Sequence, residues 1–292
     1  MSYLIPKDYN KTIQSDNLMQ VIGSDLSILA DGENTAIEEA SSYLVQKYDL
    51  SLELTDTPAW DPTVINQANS RVYLNPAAYL PATGYTVGQY TTYNGNVYKC
   101  NTNTTGAFVS NSWNLVGVQY QIFYAQYPAP VFVLIKYYQT GFTVYWKGNL
   151  YTALKSSVVL DSDDAIQYDS YSDIPPINVF PDDPKRGPSY WGTPTPYTVP
   201  AATDILNTTY WTMGDNRCQQ FRTYVVDIAL YYVHRRIAPR NIPELRVKAY
   251  DDAIKGLKMA AKGDITIKLP VLQPTQGARI RYGGNPKLQN RY

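Results

Sequence analysis

Histidine and cysteine are almost missing from this chain: one His and two Cys stand among 292 residues. That scarcity removes most routes to catalysis and metal binding, because imidazole and thiolate are the usual bases, nucleophiles and transition-metal ligands near neutral pH. Cys100 and Cys218 make neither a disulfide framework nor a metal motif, so a reducing compartment is expected. Charge is also scarce, at 17% of residues against the usual quarter. Long apolar runs are absent. The longest, Pro130 to Ile135, is far too short to span a bilayer and reads as a buried strand. The N-terminal segment, Met1 to Asp8, has no basic stretch followed by an apolar one, so no signal peptide is expected and synthesis in a cytoplasm is.

Tyrosine fills the gap. The chain holds 28 Tyr beside 6 Phe, within a hydrophobic fraction of 44% that is ample for a core. Tyrosine suits surfaces that are half apolar and half wet, as at interfaces and in β-rich modules. The formal net charge of zero conceals a division: residues 1–216 carry 10 Lys+Arg against 20 Asp+Glu, and residues 217–292 carry 15 against 5. A chain so polarised suits a subunit that meets neighbours of opposite potential, or one that satisfies the asymmetry internally.

Helical periodicity is confined to the two ends. Short helical segments are expected at Ile5 to Tyr9, with Pro6 in the first turn, and at Leu18 to Ile22, stopped by Gly23. A longer helix is expected from Asp31 to Tyr48, with Ile37, Ala40, Leu44 and Tyr48 as its apolar stripe. Near the other end, a helix from Gln220 presents Phe221, Val225, Ile228 and Tyr232 and ends in Arg235 and Arg236, favourable for the helix dipole. The last helix reads Asn241 as N-cap, with Glu244 three residues on as a capping box, Val247, Tyr250, Ile254, Leu257 and Ala261 inward, and Gly263 as C-cap. Short strands are expected at Leu50 to Leu54 and Ile265 to Leu269.

Between these ends the texture is β. Thr83-Gly-Tyr-Thr-Val87 is followed by Tyr93-Asn-Gly-Asn-Val-Tyr98, and Thr140-Gly-Phe-Thr-Val144 by Trp146-Lys-Gly-Asn-Leu-Tyr151. Each copy is a strand followed by a hairpin turning at x-Gly-Asn, and each trails a tryptophan, Trp113 or Trp191. Tyr120 to Tyr124 and Val131 to Ile135 read as linking strands. The resulting expectation is an α+β chain: a small α-helical domain (1–49 and 211–268) split by a β-rich insertion (50–210) of two small three-stranded modules (about 83–117 and 140–195), plus an extended basic C-terminal arm (269–292).

No nucleophile elbow, phosphate loop or His/Cys metal spacing occurs, so no catalytic, cofactor-binding or metal residue is assigned. His234, near a helix end among arginines, reads as a capping or interface residue. The Asp-rich stretch from Asp161 to Asp183 lacks the ligand alternation of an EF-hand and reads as a solvated loop. Asp56 and Asp61 beside Trp60 would supply a glycosidase pair only at the right separation, which spacing does not fix.

The helical segments, in their order, resemble the small helical head-tail connector proteins of tailed bacteriophages. The segments are Tyr3 to Asp8, the helix ending at Tyr48-Asp-Leu50, Asp227-Ile-Ala-Leu-Tyr-Tyr232, Ala249 to Leu257, and Gly263-Asp-Ile-Thr-Ile267. Within that class they are similar to the Mu-like head-completion adaptors, and the portal-proximal ring of a crAss-like phage is the finer placement. That family has only a short connection where this chain carries its insertion. The resemblance implies a non-enzymatic virion structural protein of the neck: a homo-oligomeric adaptor ring, typically twelvefold, beneath the portal protein. Such a ring joins head to tail, continues the DNA channel without sequence-specific grip, and serves genome ejection. Its partners would be further copies of itself, the portal, the next tail or neck protein, and fibre proteins. Arg235, Arg236, Arg240, Arg279, Arg281, Lys287 and Arg291 are then the candidate subunit or portal interface.

The insertion in turn resembles small carbohydrate-binding modules. That likeness implies the alternative, a carbohydrate-binding or fibre-docking surface protein of the particle. Tyr85, Tyr98, Trp113, Tyr151 and Trp191 are its candidate docking aromatics, with Phe142 beside them.

Overall fold

The computed structural model describes residues 3–51, 53–134, 136–156 and 179–272, with the backbone alone of 159–160 and 166–167. Three helices open the chain: α1 (Pro6–Tyr9), α2 (Ser15–Val21) and α3 (Leu26–Leu44). A series of short strands follows: β1 (Asn66–Gln67), β2 (Arg71–Leu74), β3 (Tyr90–Tyr93), β4 (Asn96–Cys100), β5 (Trp113–Val118), β6 (Gln121–Ala125), β7 (Thr143–Trp146), β8 (Asn149–Thr152), β9 (Val159–Leu160) and β10 (Ile166–Gln167). A one-turn helix α4 (Gly187–Tyr190) leads to β11 (Thr195–Pro196), β12 (Thr198–Val199) and β13 (Trp211–Met213), and two long helices close the series, α5 (Gln219–Ile237) and α6 (Glu244–Lys262). The chain is α+β.

Both ends of the chain build one helical core, whose buried residues run from Tyr3 to Leu50 and from Cys218 to Leu269. α5 is its centre. Phe221, Val225, Val226, Ile228, Ala229, Leu230 and Val233 are all buried, so the helix is covered well beyond a single stripe. Gly32 lets α3 approach it: a Cβ there would meet Val233 Cγ2 at 3.0 Å and the Ala229 carbonyl oxygen at 3.2 Å. α6 runs antiparallel to α5, with Tyr250 stacked on Tyr231 at 4.3 Å between centroids. The phenols of Tyr232 and Tyr250 donate to the Glu39 carboxylate at 3.0 and 2.8 Å, which ties the three long helices together.

Several helix and strand expectations shift. α3 starts five residues earlier than Asp31, with the Asp25 carboxylate accepting from the Ser27 N–H at 2.9 Å, and its buried face is Gly32, Ala36, Ala40 and Leu44. α6 starts at Glu244 behind Pro243, so Asn241 lies outside it and the expected capping box is not formed. Gly263 does end the helix: its φ is 93°, and its N–H and that of Asp264 return to the Met259 carbonyl. Where a strand was expected over Leu50 to Leu54, Ser51, Glu53 and Leu54 lie in a turn, and the Leu54 N–H bonds the Leu50 carbonyl at 2.9 Å. Ile265 to Leu269 forms no ladder either. Ile267 and Leu269 alternate because they pack into the helical core, and the only pairing nearby is the bridge Tyr48–Val271. Val131 makes a single parallel bridge to Tyr145 where a strand was expected.

Among the described residues the β part holds three three-stranded antiparallel sheets, ordered β3-β4-β5, β11-β8-β7 and β13-β6-β2, and two two-stranded ones. Two sheets carry the repeated hairpin. Its turn residues, Asn94-Gly95 and Lys147-Gly148, all have positive φ (48°, 74°, 45° and 87°), as a two-residue hairpin with right-handed twist requires. The Thr-Gly-aromatic-Thr-Val segments are strands only in part. Tyr85 makes an isolated bridge to Thr104, and β7 begins at Thr143. The third sheet shares a core with Val97 and Tyr90 of the first module and pairs Trp211 to Met213 with Ala125 to Phe123 just before α5.

Candidate functional site

The chain crosses between its two parts twice, outward after Asp49 and back before Cys218. Both crossings are held by buried charge. Arg71 on β2, 2% exposed, donates from Nη1 to the Glu53 carbonyl and to Thr55 Oγ1, both at 2.8 Å, and from Nε to Asn216 Oδ1 at 2.6 Å. It thereby grips the outgoing and the returning segment from one side chain. The Glu53 carboxylate, 3.9 Å from Arg71, accepts from the Tyr3 hydroxyl at 2.6 Å and from the Cys218 N–H, ahead of α5, at 2.8 Å. Burial, reinforced by Glu53, pushes the Tyr3 phenol far above its ordinary value.

Arg217 completes the junction. Its guanidinium is fully buried and donates to the Tyr3 carbonyl, to both Asp8 oxygens and to both Asp215 oxygens, between 2.6 and 3.1 Å. Arg222 pairs with the same two carboxylates. Burial works against ionised Asp215, but the Arg217 guanidinium outweighs it and holds the carboxyl below its ordinary range. A nearby carboxylate, Glu33, accepts from the Leu4 N–H at 2.8 Å and the Tyr9 hydroxyl at 3.3 Å, and burial outweighs these bonds and pushes it up to about 7. None of these groups lies in an open cleft with a nucleophile, and the network is a fastening.

The candidate interface arginines sit at the other end of α5. Nineteen residues, roughly 28 Å of helix, separate the junction from Ile237. Arg235, Arg236 and Arg240 are exposed there. Arg236 pairs with Asp31 of α3, and Arg235 lies over the Tyr232 ring at 5.9 Å. A hollow of about 360 Å³ lies between Ile28, Thr35, Tyr232 and the two arginines. Three apolar side chains stand in water at this pole: Leu26 at the start of α3, Ile237 at the end of α5 and Leu245 in the first turn of α6, the last 80% exposed. His234 is half-buried behind them. Burial, with Arg246 nearby, keeps its imidazole below the ordinary value, while burial pushes Asp227, two turns earlier on α5, up to about 6. Arg279, Arg281, Lys287 and Arg291 lie outside the described residues. The described chain ends at Leu272, whose N–H bonds the Lys47 carbonyl, so it finishes at the junction pole and not beside Arg235.

The docking aromatics require a correction. Trp113, Tyr151 and Trp191 are buried at 5%, 6% and 4% exposure, and none offers a face to a sugar ring. Trp113 is packed among Tyr79, Tyr85 and Phe108. Trp191 packs edge-on against Phe132 and Tyr138 and donates from Nε1 to the Val179 carbonyl at 2.8 Å. Tyr85 and Tyr98 are half-buried against the same first-module core. A three-stranded sheet this small has few other side chains with which to build an interior. Phe142 is exposed but touches Tyr138.

The carboxylates considered for chemistry are occupied locally. Asp61 accepts the N–H and hydroxyl of Thr63 at 2.8 and 2.7 Å, which holds it below its ordinary range. Asp182 takes Trp146 Nε1 and the Lys147 ammonium, and Asp183 closes the turn at Lys185 and Arg186. Asp161, Asp163, Asp164, Asp169 and Asp173 lie outside the described residues. Among the described residues no group of three or more His, Cys, Asp or Glu side chains is placed to hold a metal ion, and no helix is long and apolar enough to cross a membrane. Comparison with protein-family models, with curated proteins and with solved structures finds no match to this chain.

Proposed function

We propose that this chain is a structural subunit that assembles with copies of itself into an adaptor ring between portal and tail of a phage particle. One observation carries the reading: the helical core presents two surfaces of opposite character. α2 and α3, with the cap before α3, expose Asp16, Asp25, Asp31 and Glu38 and no base, whereas α5, α6 and their linker expose Arg235, Arg236, Arg240, Lys248, Lys255, Lys258 and Lys262 against Glu244, Asp251 and Asp252, a basic excess beside Leu245. Two unlike, complementary patches on one subunit favour a head-to-tail contact, and such a contact closes into a ring when its rotation divides the circle. Arginine around exposed aliphatic anchors is also the composition of a protein interface. The resemblance of the helical segments to head-completion adaptors supplies the place of the ring in the particle.

The test is the native mass of the purified chain, alone and mixed with the portal protein of the same genome. A closed oligomer of fixed stoichiometry is expected, and Leu245→Asp with Arg236→Glu should return it to monomer without changing its helical circular dichroism. A chain that stays monomeric with portal present, and is missing from purified particles, refutes the proposal.

A further inference from the structure

A cleft of about 810 Å³ opens where the second hairpin faces the turn after α3 and the loop before β2, within the size range of small-ligand sites. Three half-buried aromatic residues line it, Tyr127, Trp146 and Tyr197, with Tyr145 buried beneath them. Tyr127 and Tyr145 approach at 5.1 Å between centroids, and Trp146 is held from behind by Phe180 and by its own Nε1 on Asp182. Such a lining is fixed in place before any ligand arrives.

Thr55, Asn69 and Ser70 of the lining are bonded to neighbours, but other polar groups of the cleft are left open. The hydroxyls of Tyr127 and Tyr197 and the amide of Gln67 make no hydrogen bond among the described residues. Asp49 uses one carboxylate oxygen on Ser51 and keeps the other, and Asn149 uses only its amide nitrogen, on the Lys147 carbonyl at 3.3 Å. Lys147, the cation on the rim, is already taken by Asp182 at 2.6 Å. The cleft thus combines aromatic rings, planar amides that donate and accept, and one free carboxylate oxygen, with no free cation among its lining residues.

We infer that this cleft binds a neutral oligosaccharide. A sugar ring offers apolar C–H faces to aromatic rings and a rim of hydroxyls that both donate and accept, which is what Gln67, Asn149, Asp49 and the phenols demand. An acidic glycan meets Asp49 without a free cation to offset it. A proline-rich peptide would also lie on tyrosines, but its backbone offers carbonyl acceptors and few donors, leaving Asp49 and the Gln67 carbonyl unmatched. These residues differ from the aromatics that the repeat pointed to, three of which are interior.

The experiment is titration of the full chain with neutral oligosaccharides of glucose, galactose, mannose, xylose and N-acetylglucosamine, followed by calorimetry on those that bind. At least one should bind with Kd below about 1 mM. Gln67→Ala, on an exposed side chain, and Tyr197→Ala should each weaken it at least tenfold, with the melting temperature of Gln67→Ala unchanged. Tyr93→Ala, on the first module, should leave binding intact. Absence of binding by every sugar overturns the inference. So does binding that survives Gln67→Ala, preference for a uronic-acid oligosaccharide, or a Gln67-dependent affinity for a polyproline peptide in place of sugar.

Discussion

Arg71→Met puts the junction to a quantitative test. The substitution keeps much of the side-chain volume but removes a guanidinium, buried to 2% exposure, that bonds the Glu53 carbonyl, Thr55 and Asn216. It leaves the Glu53 carboxylate in the interior without its cation. Breaking a buried pair from one side costs about 3–5 kcal/mol. Glu53 retains the Tyr3 hydroxyl and the Cys218 N–H, so the lower end applies, about 3 kcal/mol. With a urea m-value of roughly 3 kcal/mol per molar for a chain of this size, the midpoint should fall by about 1 M.

Two probes separate the parts. All five tryptophans, Trp60, Trp113, Trp146, Trp191 and Trp211, lie in the β part, whereas the three long helices are in the other. Tryptophan fluorescence therefore follows the sheets, and far-UV circular dichroism is dominated by the helical core. In the parent chain the two urea transitions should superimpose. In Arg71→Met the fluorescence transition should move down and separate from the dichroism, because Arg217 still holds Asp8 and Tyr3 within the helical core. Combining Arg71→Met with Glu53→Gln should cost less than the sum of the two singles, since the second removes the charge that the first orphans. A midpoint equal to the parent's, with the transitions still superimposed, would refute the assignment of the network as the fastening between the parts.

Three further outcomes follow from the same geometry. Burial raises Glu33 to about 7 from an ordinary 4.5, so the folded chain holds a proton that the unfolded chain releases between those values. Its contribution to stability is full below about pH 4.5 and declines as pH rises towards 7. Glu33→Gln should flatten that part of the urea-midpoint profile and raise stability near pH 8 by about 1–2 kcal/mol; an unchanged slope between pH 4.5 and 7 counts against it. Gly32→Leu should cost about 3 kcal/mol or more in thermal or urea unfolding, because the α5 backbone stands 3.2 Å from the first atom of any side chain placed there. A Gly32→Leu chain as stable as the parent would show that α3 and α5 separate freely. Trp191→Ala should lower stability by about 3–5 kcal/mol and shift the fluorescence transition of the β part, as expected of an interior residue. Retained stability would return Trp191 to the list of surface groups.

What was legible from sequence was local. The two hairpins could be placed because Asn94-Gly95 and Lys147-Gly148 meet the positive φ that a two-residue turn demands. The end of α6 could be placed because glycine tolerates the left-handed cap at 263. The failures share a cause: a local signal was outweighed by a distant partner. Asp31-Gly32 looks like a helix beginning, yet Gly32 lies inside α3 because α5, some two hundred residues later, needs the space. Leu50-Ser-Leu-Glu-Leu54 alternates like a strand, but Glu53 turns inward to meet Tyr3, Arg71 and Cys218. The junction itself draws Asp8, Glu53, Arg71, Asn216 and Arg217 from four stretches of chain, and no spacing rule joins them. The aromatic-rich cleft escaped for the same reason: Tyr127, Trp146 and Tyr197 come together only when the second hairpin settles against the turn after α3 and the loop before β2.

The placement of the fastening gives the helical core a direction. α5 begins at the junction and ends at Ile237, and α3 runs back alongside it, so the outgoing and returning crossings leave from one pole. The charged groups that fasten the two parts are buried there: Glu53, Arg71 and Arg217, each satisfied by several partners. At the far pole nothing in the described chain covers Leu26, Ile237 or Leu245, and three arginines stand beside them. An insertion anchored at one pole can therefore be large without obstructing the other. The ring contact proposed above requires that separation, because a β part of this size at the Ile237 pole would shield the surface assigned to it. The same logic gives the buried ion pairs a purpose beyond stability, since charged groups that must all be matched admit few alternative dockings of the β part on the helices.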